Sequence, residues 1–558
     1  MHRFISRLTE RNSDPRGRTW LFVPEDQLSQ AIGPLSREDP HTLGIVLIES
    51  YGKAARRPYH QQKLALLWTN ARHFALEQAE RGVAVRYLVT DHSYQQALAP
   101  LADEFGPLRT MEPAERELRK DLAPLLREGR LRMMPHEGWL TTRAQFLHGA
   151  GATPPWRMDR FYRHVRIETG ILMEQGRPLG GRYSYDGDNR RRWDGTPPAP
   201  SPLQFPVDEI TEEVGDLIAA RFAHHPGALD LGTIPATAQD SERLWEWGKR
   251  HCLPQFGPFE DAMSVRSRGL FHTRLSALIN LHRLLPRRVI EDALALSIPL
   301  ASREGFIRQI LGWREFVFHV HRETDGFRQH PAGPATDNAV EEAQDESAKP
   351  SYLGAADPLP AAYWGTPSGL TCLDRVVSDV WAEGYSHHIT RLMVLANIAT
   401  LLDVSPRDLT DWFWVAYTDA YDWVVEPNVL AMGTYAVGDL MTTKPYVSGA
   451  AYINKMSDYC RHCGFDPGKT CPITPLYWAF LARHEARLQD NPRLRLPLQA
   501  LRRRAPDQRA RDTRIFEMTA AALRAGGRLT PELLAFMERA QANSGNHLLT
   551  PRRTRRPQ

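Results

Sequence analysis

The sequence predicts two joined classes of fold. Residues 1–150 read as an α/β N-terminal domain with a Rossmann-like parallel sheet, and residues 241–500 as an all-α C-terminal domain. Three observations predict this. The first 150 residues alternate short apolar runs with helical periods, which is how βα units of a parallel sheet read. From about 241 to 490 that alternation gives way to helical periodicity, with Pro or Gly at the turns. Between them, residues 151–240 are rich in Pro, Gly and Arg and read as a connector, while 501–558 read as a basic C-terminal tail.

Taken in order, "TWLFVP" (19–24), "TLGIVLIES" (42–50), "VAVRYLVTD" (83–91) and "LRMMPHE" (131–137) have the length and β-branched content of strands. "HQQKLALLWTNARHFALEQAERG" (60–82) reads as an amphipathic helix closed by Gly82. The segment after the first strand is "FVPEDQLSQ", without the G-x-G-x-x-G of an ordinary dinucleotide site. The connector carries "GATPPW", "GGRYSYDGDNRRRW" and "DGTPPAPSPLQFP", with one helix at 158–175. "TDNAVEEAQDESAKP" (336–350) reads as a mobile surface loop, and the last 60 residues as a basic helix or two with a frayed end.

The chain of 558 residues is 42% hydrophobic and 24% charged, enough to bury a large core. It shows no secretory leader and no apolar run of about 18 residues, which points to the cytoplasm and away from a membrane span. Five cysteines argue against a disulfide scaffold. The net charge is only +4, but arginines cluster in "DNRRRW" (188–193), "LRRRAPDQRARDTR" (501–514) and "PRRTRRPQ" (551–558). Guanidinium groups pair well with phosphate. A solvated face or a disordered tail is the simpler reading of the last eight residues. Fourteen tryptophans suit a core, stacked flavins or bases, or electron hopping.

Three of the five cysteines fall in "YCRHCGFDPGKTCPITPLYW" (459–478). Cys460 and Cys463 form a C-x-x-C, Cys471 precedes Pro472, and Cys372 lies 88 residues before Cys460. Four thiolates can hold tetrahedral zinc or an iron–sulfur cluster. Zinc usually takes two C-x-x-C pairs and here there is one, so the spacing fits a four-iron cluster better; zinc and unrelated thiols stay open. Cys252 has no partner in the pattern and reads as a buried thiol.

Several longer stretches carry a family resemblance. "GWREFVFHVHRE" (312–323), "EGYSHHITRLMVLANIATLL" (383–402) and "FHTRLSALINLHRLLPRRVIEDA" (271–293) resemble motifs of the photolyase and cryptochrome superfamily. "YDWVVEPNVLAMGTYA", "KPYVSGAAYINKMSDYC" and "CPITPLYWAFLARH" (421–484) resemble the bacterial members that carry an iron–sulfur cluster. The likeness runs from about residue 19 to 500. It implies an N-terminal antenna domain, a connector and a helical domain holding bent FAD, which accounts for the missing glycine fingerprint. It also implies a [4Fe-4S] cluster on Cys372, Cys460, Cys463 and Cys471.

The resemblance assigns candidate residues. His272, Thr273, Arg274 and Ser276 match the pyrophosphate-binding stretch, although His272 departs from the motif. Arg391 matches an arginine that pairs with an aspartate beside the flavin, and Asp422 matches that aspartate. Asn428 fits the position facing the flavin N5, with Glu426 as a competitor. His388 matches a proton donor to (6-4) lesions, with His387 in support, because imidazole titrates near neutral pH. Neighbours on a helix point about 100° apart, so only one of the two would face a given spot. Tyr446 is expected to contact a flipped lesion with Tyr452 behind it, and Gln309 to reach a base edge. Trp412 and Trp364 are candidate electron carriers, with Phe413 interrupting the aromatic run. Glu49 and Tyr51, at the end of the second strand, are expected to contact an antenna, 6,7-dimethyl-8-ribityllumazine. The function implied is light-driven repair of (6-4) photoproducts in UV-damaged DNA by a monomer. The alternative is a cryptochrome-like blue-light receptor, and cyclobutane-dimer specificity also stays open.

Overall fold

The computed structural model describes residues 2–329 and 347–546, with side chains to 538. Most of the polar insert expected at 336–350 and the arginine run 551–558 lie outside the described residues.

Five parallel strands form the N-terminal sheet: β1 (Thr19–Phe22), β2 (Leu43–Ser50), β3 (Ala84–Thr90), β4 (Leu108–Met111) and β5 (Leu131–Met134), in the order β3-β2-β1-β4-β5. Strand β4 was not among the expected strands: it is four residues long and carries Arg109, so it has no period to read. One face of the sheet packs on the helices His2–Arg11 and Gln61–Glu80, the other on Tyr94–Phe105 and Arg116–Arg127. Covered on both faces, β2 is buried at all eight positions, which is why it reads as one apolar run.

The helix Gln61–Glu80 departs from its amphipathic pattern, because its polar side is buried as well. That side meets the helical half of the chain. Lys63 Nζ donates to the carbonyls of Trp414 (3.0 Å) and Ala420 (2.6 Å), and Gln62 Nε2 donates to Asp230 O and Thr233 Oγ1. A polar stripe here is a seam between two halves, not a solvated face.

Within the connector, the expected helix runs over Met158–Thr169 and stops at Gly170, whose φ of +73° ends it in the left-handed region. A second helix, Glu209–Arg221, buries Val214 and Ile218 in the helical core. The C-terminal half is helical and shares one core from the connector to Leu534. Four of its helices contain π turns, at Gly248–Cys252, Arg308–Arg314, Arg391–Ala396 and Glu426–Gly433. Residues 506–524 form a helix whose Ile515, Met518 and Leu523 belong to that core, so this part of the basic segment is folded onto the domain and does not trail from it. Among the described residues no helix is long and apolar enough to cross a membrane.

Candidate active site

Three of the four π turns open onto one cavity of about 250 Å³ in the helical half. A π turn inserts one residue into the helical ladder and rotates the next side chains off the regular stripe. Here it turns Gln309, Ile310, Trp313 and Arg314 inward from one helix, Arg391 from a second and Asn428 from a third. The turn 272–276 closes another side, with Arg274 at φ +58°, a strained backbone for a residue other than glycine. That turn directs the Arg274 guanidinium to Glu383 (2.8 Å) and over the Tyr385 ring.

Arg391 forks onto both oxygens of Asp419, at 3.0 and 2.9 Å, and stacks 4.0 Å over the Tyr417 ring. Burial alone would raise the Asp419 carboxyl. The charge and hydrogen bonds of Arg391, joined by the Ser276 hydroxyl, outweigh it and hold the group below its ordinary range. Asp422, expected as the arginine's partner, is elsewhere. Its Oδ2 accepts the backbone N–H groups of Arg116 (2.6 Å) and Glu117 (3.2 Å), so it caps a helix of the α/β half and does not line the cavity. The two aspartates are three residues apart, and only Asp419 sits in the turn before the helix that starts at Asp422. Of Asn428 and Glu426, the cavity lining includes Asn428. Glu426 is sealed against His321 (3.0 Å) and Arg407 (3.0 Å). Asn428 lines the cavity, gives its Nδ2 to Val424 O, and has no described donor to its Oδ1.

His387 and His388 both line the cavity. The helical 100° offset does not apply, because His387 is extended (φ −77°, ψ 166°) and the helix begins at His388. His387 lies 4.5 Å from His272, with the two rings within 8° of parallel. Burial first, then the neighbouring His388, Arg391 and Arg274 charges, push His387 far below the ordinary imidazole range, so it is neutral; its buried Nδ1 has no partner among the described residues. His272 is likewise held neutral, chiefly by burial, and its Nε2 meets Glu260 O at 3.2 Å. His388 keeps 40% of its side chain exposed and stands 3.8 Å from Asp261.

Asp261 also accepts the Tyr452 hydroxyl at 3.1 Å and faces Arg190 at 3.7 Å. Next to it, Glu260 accepts Gln309 Nε2 (2.6 Å) and Asn189 Nδ2 (2.7 Å). The sequence reading named none of Asp261, Glu260, Asn189 or Arg190 for the site. The only signal for the last two was the arginine run 188–193, which was assigned to a connector. Gln309 is turned to Glu260. Tyr446 is half-buried and does not line the cavity; the charges nearest it are Asp159, Asp186, Arg493 and Arg190.

Trp364 and Trp412 are joined by a third ring. Trp364, 48% exposed, stacks on Trp381 at 5.5 Å; Trp381 meets the buried Trp412 edge-on at 5.9 Å; Trp412 meets Tyr417 at 6.0 Å, under Arg391. The rings thus lead from solvent to the cavity wall, and Trp381 was missed because it looks like core in the sequence.

Cys372 starts the helix Thr371–Glu383, where Thr371 Oγ1 bonds His462 O, and it faces Cys460, Cys463 and Cys471. Among the described residues, the ligand atoms that gather in threes within 4.8 Å are those of His272, His387 and His388. A donor set of four thiols suits either an iron–sulfur cluster or a tetrahedral zinc. Cys252 is fully buried beside His272 O, away from this group.

Glu49 and Tyr51 line neither the helical cavity nor the two small cavities beside them. Glu49 is fully buried, bonded to Arg72 (2.8 and 2.9 Å) and to the Tyr87 hydroxyl (2.8 Å), and Tyr51 packs on Trp68 and Phe222. Two small cavities of about 20 Å³ each lie beside them, lined by Ser50, Lys53, Glu115 and Tyr421 among others.

Residues 21–232 match the family described as deoxyribodipyrimidine photo-lyase-related protein. The chain is 32% identical over 512 residues to a (6-4) photolyase of Agrobacterium fabrum, an alignment that covers 88% of this chain and 96% of that protein. Its fold superposes on a bacterial class III photolyase from Agrobacterium tumefaciens with a TM-score of 0.50 at 14% identity, covering 97% of this chain and 99% of that one. The alternation of a parallel sheet with a helical cavity is thus a shared architecture, and the chain belongs to the photolyase family.

Proposed function

We propose that this chain is a light-driven DNA photolyase that reverts (6-4) pyrimidine photoproducts, with FAD in the helical cavity. The observation that carries the reading is the 32% identity to a (6-4) photolyase over 96% of that protein's length. The cavity supports it: apolar walls from Phe256, Trp313 and Trp423 suit ring systems, and Arg274, Thr273 and the 272–276 turn suit phosphate. Bound there in reduced form, FAD would supply the light-excited electron that opens the lesion.

The chain's own residues do the rest. Arg391 and Asp419 fix a charge-paired edge of the cavity, and Asn428 offers an open amide oxygen. His388, 40% exposed, would give a proton to the lesion as its hydroxyl returns to the other base. Arg190 carries positive charge toward the same mouth, where an extruded dinucleotide would enter. Trp364, Trp381 and Trp412 offer a route by which the cavity is resupplied with electrons. Cys372, Cys460, Cys463 and Cys471 would hold a [4Fe-4S] cluster that ties the helix Thr371–Glu383 to the loop 459–472. For a lumazine antenna, the cavities beside β2 have room for about one water each, and Lys53 is already paired with Glu115 (2.6 Å), so the residues as placed do not fit one.

The test is illumination of the reduced protein with oligonucleotides carrying either a (6-4) or a cyclobutane lesion. Restoration of (6-4) bases alone is the expected result. Unchanged lesions of both kinds would favour the receptor reading, and repair of the cyclobutane lesion alone would overturn the specificity.

A further inference from the structure

We infer that Asp261 is a positioning residue for His388, holding its imidazole in orientation and in its charged form at the mouth of the cavity, with Tyr452 fixing the carboxylate. The inference rests on the function proposed above.

The geometry is one-sided in a telling way. Asp261 is 8% exposed, and its two oxygens face opposite partners. Oδ2 accepts the Tyr452 hydroxyl at 3.1 Å, while Oδ1 lies 3.8 Å from His388 Nε2, within ion-pair range. A carboxylate held on one side by a phenol has only the other side free to meet an imidazole. The same device, a buried acid orienting a histidine through its far nitrogen, fixes both the tautomer and the ring plane. Here it would leave Nδ1 of His388 for the lesion.

Among the described residues, Asp261 is the acid within 4 Å of the His388 ring. On His388's own segment stand neutral His387, 6.3 Å away, and Arg391, which is paired with Asp419. From the 272–276 turn it meets neutral His272 at 5.4 Å and the Arg274 cation. From the connector comes Arg190. From the helix that carries Gln309 comes Arg308, which stands 3.6 Å from Glu260. Glu260 is 2% exposed, accepts Gln309 and Asn189, and is pushed up by burial. Asp261 is thus the acid whose oxygen faces the ring directly.

The experiment measures (6-4) repair under continuous light, at saturating damaged DNA, between about pH 6 and 9, a span that brackets the ordinary imidazole range. The wild-type protein, Asp261→Asn, Asp261→Glu and Tyr452→Phe are compared as flavin-loaded full chains. A donor works in its protonated form, so the rate falls on the alkaline side. In Asp261→Asn that fall is expected about one pH unit lower, and at pH 8 the rate about tenfold below wild type, while acid-side repair and flavin content change little. Asp261→Glu should restore much of the alkaline limb. Tyr452→Phe should move it the same way by less, because the carboxylate loses the hydroxyl that aims it. That second variant decides the matter if Asp261→Asn proves insoluble. Alkaline limbs that coincide with wild type in both variants would overturn the inference. A wild-type protein that leaves the lesion unchanged would instead overturn the function it rests on.

Discussion

The helical cavity and the carboxyl edge of the β-sheet are built from the same kinds of residue, and they use them differently. At the sheet edge nearly every charge is answered within the protein: Glu49 by Arg72 and Tyr87, Lys53 by Glu115 and Glu25, with about 20 Å³ of space left in each neighbouring cavity. In the cavity the Arg391–Asp419 pair is complete, but Asn428 Oδ1 and His387 Nδ1 have no partner among the described residues, and both side chains line about 250 Å³ of room. The difference teaches that a ligand site is marked by open polar atoms around open space. Charge content and position at a strand end, which directed attention to Glu49, do not suffice.

The comparison is most directly broken by removing the cavity's anion. Asp419→Ala strands the Arg391 guanidinium, 22% exposed, against a cavity wall. Losing one partner of a buried ion pair costs about 3–5 kcal/mol. The expected outcome is a protein purified almost without flavin, read as the ratio of flavin to protein absorbance. Asp422→Ala is the companion, since it removes hydrogen bonds to the backbone N–H groups of Arg116, Glu117 and Trp423 but no partner of Arg391, at a cost of about 1–2 kcal/mol, and should keep flavin. Equal flavin in the two variants would mean that Asp419 is not part of the site.

The sheet edge gives the next largest effect. Glu49→Gln leaves Arg72 fully buried with Glu213 at 3.2 Å as its remaining acid. About 3 kcal/mol of stability should go with it, seen as a lower thermal midpoint, with flavin content unchanged. A fall in flavin without a fall in midpoint would reverse the contrast and return Glu49 to a binding role.

The same contrast explains what the sequence could reveal. Strand β2 was legible because a strand covered on both faces must be apolar throughout, and the motif around Arg391 fixed which helix would meet the flavin. The helix Gln61–Glu80 was legible as a helix but not as a buried one, because the acceptors for Lys63 are carbonyls of Trp414 and Ala420, some 350 residues away. Asp419 and Asp422 lie in one short stretch and differ only in which side of a helix start they occupy. Asp261 and Arg190 meet His388 through tertiary packing alone. Local pattern reports the elements; the pairing of charges across elements is settled by the fold.

The smallest effect tests an exception at the sheet edge. Asp26, 5% exposed, accepts the Ala114 N–H through Oδ2, while its Oδ1 has no partner among the described residues. Burial pushes its carboxyl up to about 7, against the Ala114 hydrogen bond that pulls it down. The folded protein therefore keeps this proton to about pH 7, while the unfolded chain releases it near pH 4. Between those values the folded state binds more protons, so Asp26 makes stability fall as pH rises through the window. Going from pH 6 to 8 its share of that fall is about 1.4 kcal/mol, one pH unit's worth. Asp26→Asn should lose this slope and gain on wild type at pH 8, measured by denaturant unfolding at the two pH values. A variant that tracks wild type across the window would mean that the carboxyl is already charged in the fold. It would then need a cation or donor at Oδ1, and the sheet edge would hold a site after all.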